Sequence, residues 1–82
     1  MKTREYAMSV IRYYSTDWCG FCKSEYPKVE KIAARLGYKI EKINVEQCPV
    51  KLKQRCDSID AVPVIELNGK IMTVSELEKL KT

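Results

Sequence analysis

Two strand-like runs joined by a single helical segment constrain this chain more than any other feature. Met8 to Tyr14 is nearly continuous in apolar and aromatic residues, the pattern of a strand covered on both faces. Lys39 to Val45 reads as a second strand, with Ile43 and Val45 on one face and Ile40 on the other. Between them, Cys22 to Leu36 carries Tyr26, Val29, Ala33 and Leu36 at helical spacing and turns Glu25, Lys28, Glu30, Lys31 and Arg35 outward. Gly37 suits the left-handed residue that ends such a helix, and Pro27 predicts a kink within it. Strand, helix and strand in this order form a right-handed crossover with the two strands parallel.

The second half adds a helix, a hairpin and a last helix. Pro49 suits the first position of a helix reaching about Cys56, with Leu52, Cys56 and Ile59 in one row. The apolar runs Val62 to Leu67 and Lys70 to Val74 flank Asn68-Gly69. Asn-Gly supplies the positive φ that both central positions of a type I′ turn require, so these runs predict a hairpin. Ser75 and Glu78 predict a capping box on a short helix whose Leu77 and Leu80 face inward. The order is βαβαββα, an α/β arrangement, and 82 residues support one compact domain, residues 1–82, around one core.

Composition then removes several classes of function. The net charge of +4 is dispersed, and only Lys51, Lys53 and Arg55 cluster, on what reads as a solvated helix face. Aromatic residues do not interleave with that group and no nucleic-acid motif is present, so nucleic acid is not an expected partner. No apolar run approaches the roughly 20 residues of a membrane span, and Met1 to Met8 lacks the hydrophobic stretch of a secretory leader. A cytoplasmic monomer without a membrane partner is the expectation. Four cysteines without a histidine exclude every mixed Cys/His zinc pattern and every histidine-assisted nucleophile.

The chemistry concentrates in Trp18-Cys19-Gly20-Phe21-Cys22-Lys23, at the junction of the first strand and the helix. Thiols at this spacing can close a short disulfide. A cysteine at a helix N-terminus has backbone N–H groups and the helix dipole to favour its thiolate, to which Lys23 adds positive field. Exchange needs an accessible thiolate to attack a substrate disulfide and a second thiol to resolve the mixed disulfide. Cys19, at the exposed edge, is the candidate nucleophile; Cys22, one turn further in, is the candidate resolving thiol. Trp18 and Phe21 are read as an apolar apron for a bound peptide.

Cys48 and Cys56 stay ambiguous at this level. Across a regular helix their eight-residue separation rises roughly 12 Å, beyond the roughly 7 Å limit for bridged Cα atoms. On that geometry Cys56 packs beside Leu52 and Ile59 while Cys48 caps the helix. A stabilising disulfide, which needs a broken helix or a loop, is the second reading; a redox relay or a metal role is the third.

These features together resemble the thioredoxin/glutaredoxin superfamily over nearly the whole chain. Trp18-Cys19-Gly20-Phe21-Cys22-Lys23 is similar to the thioredoxin active-site motif with Phe21 in place of proline, and Pro27 stands where that family has its helix-kinking proline. Lys42-Ile43-Asn44-Val45-Glu46 resembles the second core strand, and Val62-Pro63 resembles the segment that carries a cis-proline beside the disulfide. The resemblance implies a thioredoxin-like fold: a four-stranded mixed sheet of order 4-3-1-2, strand 3 antiparallel to the others, with helices on both faces. It implies reduction of protein disulfides through Cys19 and Cys22 with no cofactor beyond that pair, and substrate pairing at the backbone of Val62 and Pro63.

Three departures from the family pattern carry consequences. Tyr13 occupies the position of the family's buried aspartate while the usual lysine neighbour persists as Lys42, so proton handling passes to Lys42, the Tyr13 hydroxyl or water. Thr73-Val74 stands where glutaredoxins have a Gly-Gly that admits glutathione, which favours a thioredoxin-reductase-like or other protein reductant over glutathione. Phe21 restores an N–H that proline withholds, which predicts a potential above the about −270 mV of thioredoxin. The competing classes are a metal- or cluster-binding protein using all four cysteines, and a redox-inert binding module on the same fold. C-x₇-C makes a poor second zinc knuckle, and the intact thiol pair argues against the inert module.

Overall fold

The computed structural model describes residues 9–80, so the N-terminal stretch, including Met8 as the expected start of the first strand, lies outside the described residues. Strand β1 runs Val10–Ser15 and helix α1 runs Gly20–Leu36, ending at Gly37 with φ 75°. Strand β2 covers Lys39–Asn44, and two 3-10 turns follow at Val45–Gln47 and Val50–Leu52. Helix α2 is Lys53–Asp57, strands β3 and β4 are Val64–Leu67 and Lys70–Met72, and helix α3 is Val74–Glu78. The sheet order is β2-β1-β3-β4, with β1 parallel to β2 and antiparallel to β3, and β3 antiparallel to β4. This is the 4-3-1-2 arrangement that the sequence resemblance implies. Among the described residues, no helix is long and apolar enough to cross a membrane.

Strand alternation divides the core into two clusters, because successive side chains point to opposite sheet faces. Ile11, Tyr13, Ile65 and Leu67 meet Cys22, Val29, Ile32, Ala33 and Leu36 of α1 and Leu77 of α3 on one face. Tyr14, Ile43 and Cys56 form the second cluster, with Val45, Cys48, Leu52, Ile59 and Val64 packed against it. Ile40 joins the first cluster and Ile43 and Val45 the second, as the alternation in β2 predicts. Each fully buried large side chain, such as Val29 or Leu77, adds about 1.5–3 kcal/mol by leaving water. Asn68 (φ 53°) and Gly69 (φ 82°) supply the paired positive φ of the predicted hairpin turn.

Four local expectations are corrected. Helix α1 opens at Gly20 rather than Cys22, because Cys19 caps it. Val45 and Thr73-Val74 fall outside their strands: Asn44 accepts the Glu46 N–H through its side chain and turns the chain into the first 3-10 turn, while Thr73 starts α3. The capping box is Thr73 with Glu76 rather than Ser75 with Glu78; Glu76 N–H donates to Thr73 Oγ1 at 3.1 Å and Thr73 N–H donates to Glu76 Oε1 at 2.9 Å. Finally, Pro49 to Cys56 is no regular helix. Pro49 precedes the second 3-10 turn and α2 begins only at Lys53.

That last difference decides the second cysteine pair. With the helix broken, the Cα atoms of Cys48 and Cys56 lie 6.6 Å apart and the two are bonded as a disulfide, the second of the open readings. The basic group beside it is mostly neutralised within the chain. Lys53 pairs with Asp57 at 3.0 Å, and Arg55 Nη2 lies 3.0 Å from the buried Glu66 carboxylate. Tyr14 donates its hydroxyl to Glu66 Oε1 at 2.6 Å, which ties β1, β3 and α2 together on this face. Burial and that carboxylate push the Tyr14 hydroxyl up to about 12.

Candidate active site

The loop after β1 delivers Trp18 and Cys19 to the C-terminal edge of the sheet, where α1 begins. Cys19 takes extended backbone (φ −83°, ψ 101°) as the helix N-cap, and its Sγ accepts the Cys22 N–H at 3.1 Å. A capping side chain ordinarily supplies an oxygen to one of the first unpaired helix N–H groups; here sulfur takes that place. The first turn carries no acidic residue to compete for that positive end. Cys19 and Cys22 are bonded to one another, with Cα atoms 5.2 Å apart. Both residues are buried, Cys19 at 7% exposure and Cys22 at 2%: Cys19 is the more accessible of the two, but the disulfide-bonded form does not leave it at the exposed edge that the sequence suggests.

Trp18 and Phe21 flank the pair and are 71% and 65% exposed, an apolar apron at the mouth of the site. Gly20 is the first residue of α1, and Lys23 stands exposed in its first turn. The Val62-Pro63 bond is cis, and Val62 packs against the cluster that holds both cysteines. A groove of about 270 Å³ runs past Phe21, Pro63, Ile71 and Val74.

Of the groups expected beneath the disulfide, the Tyr13 hydroxyl is there and Lys42 is not. Tyr13 is fully buried, and its hydroxyl lies within hydrogen-bond reach of the Cys22 carbonyl at 3.2 Å and Glu25 Oε1 at 2.9 Å. Burial first, and the Glu25 carboxylate second, hold that hydroxyl well above the ordinary tyrosine range, so it stays protonated and donates. Glu25, which the helical pattern turned outward, is therefore half-buried at the site. Lys42 is exposed, and its Nζ sits 4.8 Å over the Tyr26 ring, which meets Tyr13 edge-on at 5.2 Å. Two aromatic rings thus separate Lys42 from the position it was expected to serve.

Glu25 and Glu46 are the residues that sequence reasoning missed. Glu25 lies one helical turn beyond Cys22, so i, i+3 spacing already put it on the side of the resolving sulfur. Glu46 accepts the Trp18 Nε1–H at 2.9 Å. The parallel pairing of Ser15 with Asn44 ends β1 and β2 at the same edge, which brings the loops after them together. Cys48 and Cys56 belong to the cluster on the opposite sheet face from Cys19 and Cys22, so the four sulfurs do not converge on one centre.

Comparison with known proteins agrees with this fold. The thioredoxin family profile matches residues 3–81. The chain is similar to the mitochondrial thioredoxin 3 of Saccharomyces cerevisiae in its oxidized form, with TM-score 0.64 and 23% identity over 95% of this chain and 83% of that one. It is also similar to a mutant thioredoxin from Halobacterium salinarum, with TM-score 0.62 and 22% identity over 85% of this chain and 68% of that one. No curated protein sequence matches the chain.

Proposed function

Because the chain belongs to the thioredoxin family of thiol–disulfide oxidoreductases, we propose that it reduces disulfides of other proteins, with Cys19 as nucleophile and Cys22 as resolving thiol. The observation that carries this assignment is the capping bond from Cys22 N–H to Cys19 Sγ. It places one sulfur, and not the other, at the positive end of a 17-residue helix.

In the reduced protein the Cys19 thiolate attacks one sulfur of a substrate disulfide. The substrate S–S bond breaks, its other sulfur leaves as a thiolate and takes a proton, and Cys19 is left in a mixed disulfide. Cys22 then loses its proton and attacks Cys19 Sγ, which closes the Cys19–Cys22 bond and releases the second substrate thiolate. Two electrons pass to the substrate. A protein reductant of the thioredoxin-reductase type returns them; Thr73 and Val74, at the start of α3, stand against a glutathione site. Tyr13 donates its one proton to Glu25 Oε1 at 2.9 Å, with the Cys22 carbonyl in reach at 3.2 Å, which holds a carboxylate beside the resolving cysteine's turn of helix. The extended substrate lies across Phe21 and the Val62-Pro63 segment in the manner of strand addition.

Insulin reduction, with a chemical dithiol as electron source, tests the assignment. Cys19→Ser is expected to abolish turnover, and pre-reduced Cys22→Ser, mixed with insulin after the dithiol is removed, to accumulate a covalent mixed disulfide visible by mass spectrometry. Equal, mild losses in both variants contradict the roles.

A further inference from the structure

Which disulfides the site prefers is written in a second hollow beside Cys19. It encloses about 140 Å³ between Trp18 and Thr16, Val45 and Glu46, and Asp60 and Val62. That is well under the roughly 300–1,000 Å³ of a small-molecule pocket, so it suits one extended side chain rather than a cofactor. Trp18 immediately precedes Cys19, and Val62 packs on the cluster holding both active-site sulfurs, so a guest here lies within a few residues of the attacked cystine.

Three observations give the guest its chemistry. Both charged residues of the wall, Glu46 and Asp60, are carboxylates, although the chain as a whole is +4. The bond from Trp18 Nε1 engages Glu46 through Oε2 alone. In the same wall Thr16 is only 6% exposed, and its hydroxyl oxygen has no hydrogen-bond partner among the described residues. A buried hydroxyl without a partner is uncommon in folded proteins, and Thr16 is part of the wall of this hollow. Trp18, Val45 and Val62 offer an apolar lining for a methylene stem, and the indole face attracts a cation.

We propose that this hollow is a subsite for a lysine or arginine close to the attacked cysteine of the substrate protein. The inference rests on the oxidoreductase reading above and names the substrate class for it. The acidic walls are held in place covalently: Glu46 comes two residues before Cys48 and Asp60 four residues after Cys56, so the disulfide ties together the segments that carry them.

The test uses three peptides, each with one cysteine in disulfide linkage to a chromogenic aromatic thiol and flanked on both sides by lysine, norleucine or glutamate. Reduced protein is mixed with each, and second-order rate constants for thiol release are compared. The subsite predicts lysine first and glutamate last, with lysine about fivefold faster than norleucine at low salt. That preference shrinks as salt screens the charges. The overall positive charge of the protein predicts the opposite order, so the ranking separates a local subsite from the global field. Glu46→Gln/Asp60→Asn, which keeps hydrogen-bonding side chains at both positions, is expected to bring the lysine-to-norleucine ratio close to one. Equal rates for the three peptides, or a ratio unmoved by the double substitution, overturns the subsite while reduction of the norleucine peptide sustains the oxidoreductase reading. Failure to reduce any peptide that a chemical dithiol does reduce sinks both.

Discussion

Removing the Cys48–Cys56 bond should cost this protein a large part of its stability. The link closes a loop between cysteines eight positions apart. Constraining the unfolded chain by a loop of that size is worth about 2.5 kcal/mol in the chain-entropy treatment. At about 2.1 cal/mol/K of unfolding entropy per residue, a chain of this length has roughly 0.17 kcal/mol/K in all, so the loss lowers Tm by about 15 °C. The clean comparison is made in a Cys19→Ala/Cys22→Ala background, oxidised against reduced. Sequence and side-chain volume are then identical, and only the second bond differs. Urea unfolding followed by circular dichroism should show the midpoint falling by about 2.5 M for a slope near 1 kcal/mol/M. A loss below about 1 kcal/mol would refute the entropic reasoning. Two titratable thiols in the oxidised background would refute the bond itself.

The Tyr14 hydroxyl gives an alkaline limit to stability. Its folded value of about 12 exceeds the unfolded value of 10.0, so the unfolded chain releases this proton first as pH rises. The contribution is complete below pH 10 and is lost as pH rises through 12, a decline of roughly 3 kcal/mol, and Tyr14→Phe should remove this part of the alkaline slope while leaving the part that Tyr13 carries; the same alkaline slope in both proteins would contradict the assignment. Arg55→Ala leaves the Glu66 carboxylate, 6% exposed, with the Tyr14 hydroxyl and with Arg12 only at 4.0 Å. It should destabilise by about 1–3 kcal/mol, and adding Glu66→Gln should recover part of that loss. Additive losses in the double variant would count against the pairing.

The elements legible in the sequence are those set by local chemistry or by one clear period. The alternation along β2 assigned Ile40 and Ile43 to opposite faces, and Asn68-Gly69 located the hairpin turn because few residues accept its backbone. The place of Cys19 at the edge of a helix was legible because a strand leads into a helix at the C-x-x-C pair, although the periodic apolar pattern begins two residues after the helix does. Where the sequence was degenerate, tertiary structure chose. Thr73-x-x-Glu76 and Ser75-x-x-Glu78 are equally good capping boxes, and the last β3–β4 pairing, Ile65 with Met72, ends β4 just before Thr73. The second disulfide was obscured by assuming a regular helix after Pro49, when a 3-10 turn at Val50–Leu52 and a helix that begins only at Lys53 break the straight rise between the two cysteines. Glu25 read as an outward carboxylate and Glu46 as no more than the end of a strand motif, because their partners, Tyr13 and Trp18, lie 12 and 28 residues away.

The account turns on Cys19 being the sulfur that the start of α1 makes reactive. The direct measurement is the alkylation of the reduced protein by iodoacetamide near neutral pH, with each cysteine followed by peptide mapping. Cys19 should be modified about tenfold faster than Cys22, Cys48 or Cys56, in keeping with a thiolate favoured by the helix N-terminus. Its rate should level off at a lower pH than theirs. Uniform rates across the four cysteines, or Cys22 reacting first, would contradict the account.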